Sequence, residues 1–270
     1  MTSLPPLLSP DWLDEHLHDP NILIVDVGRA STYMQLHIPG ALHLEYSNLV
    51  SGQPPAVGER PEPLRLSLAL GGLGLTPERA VVAYDDEGGA NAARLLWLLD
   101  NIGHPGSLSL LDGGLHAWAN EDFPTESRSR VGQPTKYIVA FTDRGYADRH
   151  YVQSHLDDAA VALLDARSAA EYDGSARSSA RAGHIPGAIH YEWTTPLDPD
   201  RNVRMRDLDD LRNQLAELGL SKDKEIITYC QTHHRSSHSY WLLRCLGYRK
   251  VRGYAGSWAE WGNLDDVPIV

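Results

Sequence analysis

A cysteine set where a strand gives way to a tight turn and then a helix is well placed to act as a nucleophile, and Cys230 occupies such a junction. The β-branched run Glu225-Ile226-Ile227-Thr228-Tyr229 leads straight into it. The loop residues Gln231, Thr232, His233, His234 and Arg235 follow, and a helical pattern opens near Ser236. Backbone N–H groups in such a turn, with those of a helix N-terminus, point at one spot and favour negative charge there. A thiol in that field is biased toward thiolate, the form that attacks. Arg235 closes the loop, and His233, His234 and His238 add hydrogen-bonding groups, so a small oxyanion could dock beside the sulfur.

Other chemistries use the same residue types. Cys230 with His233, His234 and His238 has the ligand types of a zinc site. Adjacent histidines cannot easily both turn toward one ion, however, and no second spaced pair completes a tetrahedron, so no metal is expected. Phosphatase loops carry one residue more between cysteine and arginine than the four that separate Cys230 from Arg235. The tighter cradle suits a single sulfur better than a tetrahedral phosphate. The other cysteine, Cys245, lies in an apolar helical stretch without a basic cluster and is expected in the core.

The elements that position Cys230 can be read from periodicity. Runs at 22–27, 80–84, 161–165 and 225–229 predict buried strands. Helices are predicted over 91–102, 208–218 and 236–246, the first and last closed by Gly103 and Gly247 as left-handed caps. Alternating strand and helix implies an α/β fold, a mostly parallel sheet flanked by helices, with ligands beyond the carboxyl ends of the strands. Cys230 is at such an end.

The chain is also written twice. Residues 22–46, with HIPGA at 37–41, match 161–193, with HIPGA at 184–188; residues 78–103 match 223–248; and the tryptophan-bearing segment after Asp112 matches that after Tyr254. A period this long means two whole domains, expected at 1–124 and 143–270, joined by a polar connector at 125–142. In the first copy the cysteine position holds Asp85, so the fold alone does not demand cysteine there. His37 and His184 recur in both copies and are read as parts of a structural bend. The segment Asp173–Gly183 has no counterpart in the first copy and is read as a solvated loop, the alternative being that its Arg177 and Arg181 flank the pocket.

Composition bounds the partners. A formal charge of −12 disfavours nucleic acid and anionic membranes, and no apolar run is long enough to span a bilayer. Two cysteines in 270 residues suit a reducing cytoplasm better than a disulfide framework.

The segments Tyr33–Leu44 and Val251–Trp261 resemble the N-terminal and C-terminal signatures of the rhodanese family, and the loop CQTHHR is similar to that of the two-domain Azotobacter type. The resemblance covers nearly the whole chain. It implies two tandem rhodanese-like domains, the first silent and the second catalytic, acting without a cofactor as a thiosulfate sulfurtransferase. Cys230 would take the outer sulfur of thiosulfate as a persulfide, release sulfite, and pass the sulfur to cyanide or a thiol. Arg235 and Arg167, the latter after Asp165, would hold the anion, with Gln231, Thr232, His233 and His234 lining the site. Two alternatives stay open: 3-mercaptopyruvate as donor, and a persulfide carrier that supplies sulfur to a protein partner.

Overall fold

The computed structural model describes residues 4–270 and divides into two compact units. The first comprises the chain up to Leu49, Pro61–Thr142 and Leu197–Met205; the second comprises Val50–Arg60, Asp143–Pro196 and Arg206–Val270. Each half thus contributes one segment to the other's unit, an exchange that sequence continuity hides. The stretch 125–142, expected as a connector, belongs to the first unit, where Thr135 N–H donates to the Gly71 carbonyl at 2.9 Å.

In the first unit, strands β1 (Leu7–Leu8), β2 (Ile22–Asp26), β3 (Leu42–His43), β4 (Ala80–Tyr84) and β5 (Leu108–Leu111) form a parallel sheet of order β1-β5-β4-β2-β3. The second unit repeats it with β6 (Tyr146–Ala147), β7 (Val161–Asp165), β8 (Ile189–His190), β11 (Glu225–Tyr229) and β12 (Val251–Tyr254), in the order β6-β12-β11-β7-β8. Between them in sequence, the short antiparallel pair β9 (Leu197–Asp198) and β10 (Arg204–Met205) is the segment given to the first unit. There Met205 N–H donates to Asp112 Oδ1 at 2.7 Å.

The long strands are buried on both faces because helices cover both sides, which is why they read as continuous apolar runs. The helices that follow β4 and β11 span Ala90–Asn101 and Arg235–Cys245, and both stop at glycines with positive φ, Gly103 at 67° and Gly247 at 83°. Cys245 ends its helix partly exposed, outside the core where it was expected.

The bend shared by the two copies is structural. His37 Nδ1 lies 2.6 Å from the Tyr33 carbonyl, and His184 Nδ1 lies 2.9 Å from that of Tyr172. Each ring stacks on that tyrosine, with centroids 3.9 and 3.8 Å apart, and each tyrosine hydroxyl donates to the carbonyl of Ala41 or Ala188. Tyr84 and Tyr229 then accept the N–H of Ile38 and Ile185, tying each bend to the central strand.

Candidate active site

Cys230 follows β11, the middle strand of its sheet, and its residue is fully buried. Its N–H donates to Ser257 Oγ at 3.3 Å, and its carbonyl accepts from Trp258 N–H at 2.9 Å. One residue on, the Gln231 carbonyl accepts from Ala259 N–H at 2.8 Å. The loop is therefore fastened along its backbone to the helix Ser257–Trp261.

Two backbone positions in this frame are unusual. His233 has φ of 52°, a left-handed conformation rare for a residue with a Cβ. The matching residue of the first copy is Gly88, at 88°. His233 is held there by burial and by Ser236, whose Oγ lies 2.7 Å from its Nδ1. Ser257 also has φ of 52°, where the first copy has Gly114 at the same angle. A serine at that strained position supplies the hydroxyl that meets Cys230 N–H, a role that shows only when the two copies are aligned on structure.

Arg235, the first residue of the helix that follows the loop, is tied to a carboxylate. Its Nη1 and Nη2 donate to Glu171 Oε2 and Oε1 at 2.6 and 2.9 Å. Burial alone would make the guanidinium easier to deprotonate. The bonds to Glu171 and the interaction with Cys230 outweigh it and raise its pKa. On the other side of the pair, the Arg235 bonds bring the Glu171 carboxyl down to about 2. Glu171 also closes a capping box with Ser168, so the turn after β7 is what fixes the arginine. His234 precedes this helix at its N-cap, and His233 is buried while Gln231, Thr232 and His234 are partly exposed around the cysteine's loop.

Arg167 is bonded within the fold. It is 1% exposed, its Nη2 donates to Asp165 Oδ2 at 2.6 Å and to the Gly183 carbonyl at 2.8 Å, and its guanidinium lies 4.4 Å from the Trp258 ring centroid. Its charge is spent within the fold, anchoring the end of β7 against the helix that carries Trp258. His238, close to the loop in sequence, faces Trp193 edge-on at 5.7 Å, and burial first, then His234, pushes its pKa down to about 4. No group of three or more histidine, cysteine or carboxylate side chains is placed to hold a metal among the described residues.

Asp173–Gly183, read as a solvated loop, is largely exposed and also bonds the residue next to Cys230. Ser178 Oγ donates to Gln231 Oε1 at 2.7 Å, and Gln231 Nε2 donates to the Ser178 carbonyl at 3.3 Å and to Ser179 Oγ at 3.2 Å. Arg177 folds back onto the Ser179 carbonyl at 2.9 Å, and Arg181 donates to the Val267 carbonyl at 3.0 Å, so neither reaches toward Cys230. From far back in the sequence, Gly58 packs so closely on the loop that a Cβ there would lie 2.0 Å from the Thr232 carbonyl oxygen.

The first copy shows what this kind of loop holds. At the position of Cys230, the Asp85 carboxylate is fully buried and accepts three backbone N–H groups: Glu87 and Gly89 at 2.8 Å each on Oδ1, and Ala92 at 2.9 Å on Oδ2. A turn of this sequence pattern is thus a cradle for a buried anion. Thr232, His234 and Ser237 are the matching residues of the second copy.

Comparison with known proteins places the whole chain. The model of the "Rhodanese-like domain" family matches residues 9–121 and again 148–264. The chain is 43% identical over 267 residues to a thiosulfate sulfurtransferase of Azotobacter vinelandii, covering 99% of this chain and 97% of that one. With a thiosulfate sulfurtransferase of Pseudomonas aeruginosa it shares 44% over 270 residues, 99% and 98% of the two chains. A sulfur carrier protein, TtuD, of Thermus thermophilus is 34% identical over 97% of this chain and 95% of its own. Among solved structures, an anaerobic ergothioneine biosynthesis enzyme from Chlorobium limicola superposes with a TM-score of 0.86 at 23% identity, over 98% of this chain and 69% of that one, a likeness of fold.

Proposed function

Because the chain belongs to the rhodanese family, we propose that it is a thiosulfate sulfurtransferase in which Cys230 carries the sulfur as a persulfide. The observation that carries this reading is the pairing of an anion-holding turn, occupied in the first copy by Asp85, with a cysteine and an adjoining arginine in the second. The names of the two relatives above 40% identity supply the donor.

In the first half-reaction the Cys230 thiolate attacks the outer sulfur of thiosulfate. A bond forms between the two sulfurs, the bond from that sulfur to the sulfonate sulfur breaks, and its electron pair leaves with sulfite. Arg235 is the cation at the loop and meets the departing anion, while the loop amides receive the charge of the terminal persulfide sulfur. Glu171 acts through Arg235 by fixing its plane. Arg167 serves the fold. Gln231 and His234 form the partly exposed rim, Thr232 contributes its backbone to the turn, and His233 sets the shape of that turn from inside.

In the second half-reaction cyanide or a thiolate attacks the terminal sulfur, and the electron pair returns to Cys230. Since Cys230 is buried, the rim must part for any donor or acceptor to reach it. Treatment with thiosulfate should add one sulfur atom to the protein by mass, and Cys230→Ser should abolish both that gain and thiocyanate formation. Turnover persisting in Cys230→Ser would refute the assignment.

A second reading is favoured by the Thermus relative: a carrier that hands the persulfide sulfur to a protein. Slow turnover with cyanide beside rapid transfer to a protein thiol would mark that role. Thiosulfate against 3-mercaptopyruvate in the same assay decides the donor. Two cysteines in 270 residues suit a reducing compartment such as the cytoplasm, and no helix among the described residues is long and apolar enough to cross a membrane.

A further inference from the structure

We propose that the segment Asp173–Gly183 selects the sulfur acceptor: Ser178 and Ser179 latch the Gln231 side chain beside Cys230 and screen the persulfide from nucleophiles larger than a small anion. The inference rests on the persulfide reading above and adds to it a determinant of acceptor size.

The segment is confined to the copy that carries the cysteine. Eleven residues separate Tyr172 from His184, against three between the equivalent Tyr33 and His37. Its far end is anchored. Ser179 Oγ donates to the Trp258 carbonyl at 3.2 Å, Ala180 N–H to Asn263 Oδ1 at 2.8 Å and Arg181 N–H to the Gly262 carbonyl at 2.8 Å. A Cβ on Gly262 would meet that of Ser179 at 2.9 Å, so the backbones approach closely there. The same helix region holds the catalytic loop through Trp258 and Ala259 N–H. Loop, helix and segment therefore form one block whose exposed closure is the contact of Ser178 with Gln231.

The first copy makes the contrast. There the residue after the strand-end position is Asp86, clamped by Arg29 Nε at 2.8 Å, Arg29 N–H at 3.0 Å and Thr32 Oγ1 at 2.6 Å. In the catalytic copy the matching Gln231 is uncharged, partly exposed and held by neutral groups of the segment, next in sequence to a fully buried cysteine. Neutral hydrogen bonds next to water exchange readily for bonds to solvent. The arrangement is thus closed at rest and releasable, which an ionic clamp would not be.

Acceptors differ in what they need from it. Cyanide is a two-atom anion that attacks the terminal sulfur through a small opening. A thiolate on a larger skeleton must bring its own sulfur to the same atom, forming a new S–S bond as the bond to Cys230 breaks and the electron pair returns to Cys230. The larger molecule needs Gln231 displaced.

The test uses the parent protein, the double variant Ser178→Ala/Ser179→Ala and Ser178→Ala alone. Each is first treated with thiosulfate and weighed. Absence of a one-sulfur gain in the parent would sink the persulfide reading itself, separately from the latch. Loaded proteins are then turned over with cyanide and with glutathione, and the ratio of the two kcat/KM values is compared. We expect the glutathione to cyanide ratio to rise at least threefold in the double variant, with the cyanide value within twofold of the parent. Should the double variant not fold, the same rise is expected in Ser178→Ala, which removes the 2.7 Å bond alone. A smaller rise, no change or a fall overturns the latch.

Discussion

Glu171 grips Arg235 with both carboxylate oxygens, at 2.6 and 2.9 Å, and thereby fixes the plane of the guanidinium that interacts with Cys230. The pair stays ionised over any ordinary assay range, since the carboxyl is held at about 2, chiefly by its bonds to the arginine. Arg235→Ala removes the anion's partner and is expected to lower kcat/KM for thiosulfate by roughly 10- to 150-fold, the effect of losing about 1.5–3 kcal/mol from a hydrogen bond to a charged group. Glu171→Gln keeps the shape but turns one accepting oxygen into an NH2 group facing an arginine N–H, so one of the two bonds is lost and the other no longer ends on a carboxylate. Its loss should be smaller than that of Arg235→Ala. Arg235→Ala turning over within twofold of the parent would contradict the role given to this arginine.

Asp85 offers a test of the cradle apart from catalysis. Its two carboxylate oxygens take three backbone N–H groups in a buried turn. In Asp85→Asn one oxygen becomes an NH2 group facing the Ala92 N–H, and a donor is left opposite a donor. Denaturant unfolding should register a loss of about 1.5–3 kcal/mol, while thiocyanate formation by the folded protein stays within twofold. A variant as stable as the parent would show that the turn does not need an anion.

Gly58 buttresses the catalytic loop from a segment that the first half lends to the second unit. A methyl group there would overlap the Thr232 carbonyl oxygen at 2.0 Å, and backbone rather than a flexible side chain must yield. Gly58→Ala is therefore expected to reduce kcat more than tenfold and to lower the unfolding free energy by about 1–3 kcal/mol, the usual cost of overpacking. Unchanged kcat and an unchanged thermal midpoint together would remove Gly58 from the support of the loop.

What the sequence made legible follows from how local each signal is. The central strands and both helix stops were readable because β-branched runs and glycine caps act within a few residues, and the duplicated bend at His37 and His184 was readable because it occurs twice. Strands of two residues such as β1 and β6 carry no periodicity and appear only when a neighbour pairs with them. Arg167 is expected at the substrate, and the bond to its own Asp165 and the packing against Trp258 that the fold adds are encoded by no spacing. Glu171 had a local signal, the serine three residues before it, and that signal announces a helix cap only. The contact between Ser178 and Gln231 joins residues 53 apart in sequence, and only the fold brings them together.

His238 connects the site to acid stability. It is buried, its Nδ1 has no hydrogen-bond partner among the described residues, and burial, with a lesser contribution from His234, pushes it from 6.5 down to about 4. Protonation therefore favours the unfolded chain, where the imidazole regains its ordinary affinity for protons. Its contribution to stability is complete above about pH 6.5 and is lost progressively as pH falls toward 4. The loss is at most about 3 kcal/mol, since each tenfold difference in proton affinity between the folded and unfolded chain is worth about 1.36 kcal/mol. His238→Phe, which fills a similar volume and does not titrate, should show a flatter dependence of unfolding free energy on pH between 6.5 and 4. The informative quantity is the difference between parent and variant, because every carboxylate elsewhere in the chain cancels from it. Parallel curves across that interval would mean that His238 is protonated in the folded protein as readily as in the unfolded one, and the buried, neutral imidazole in the helix after the catalytic loop would have to be abandoned.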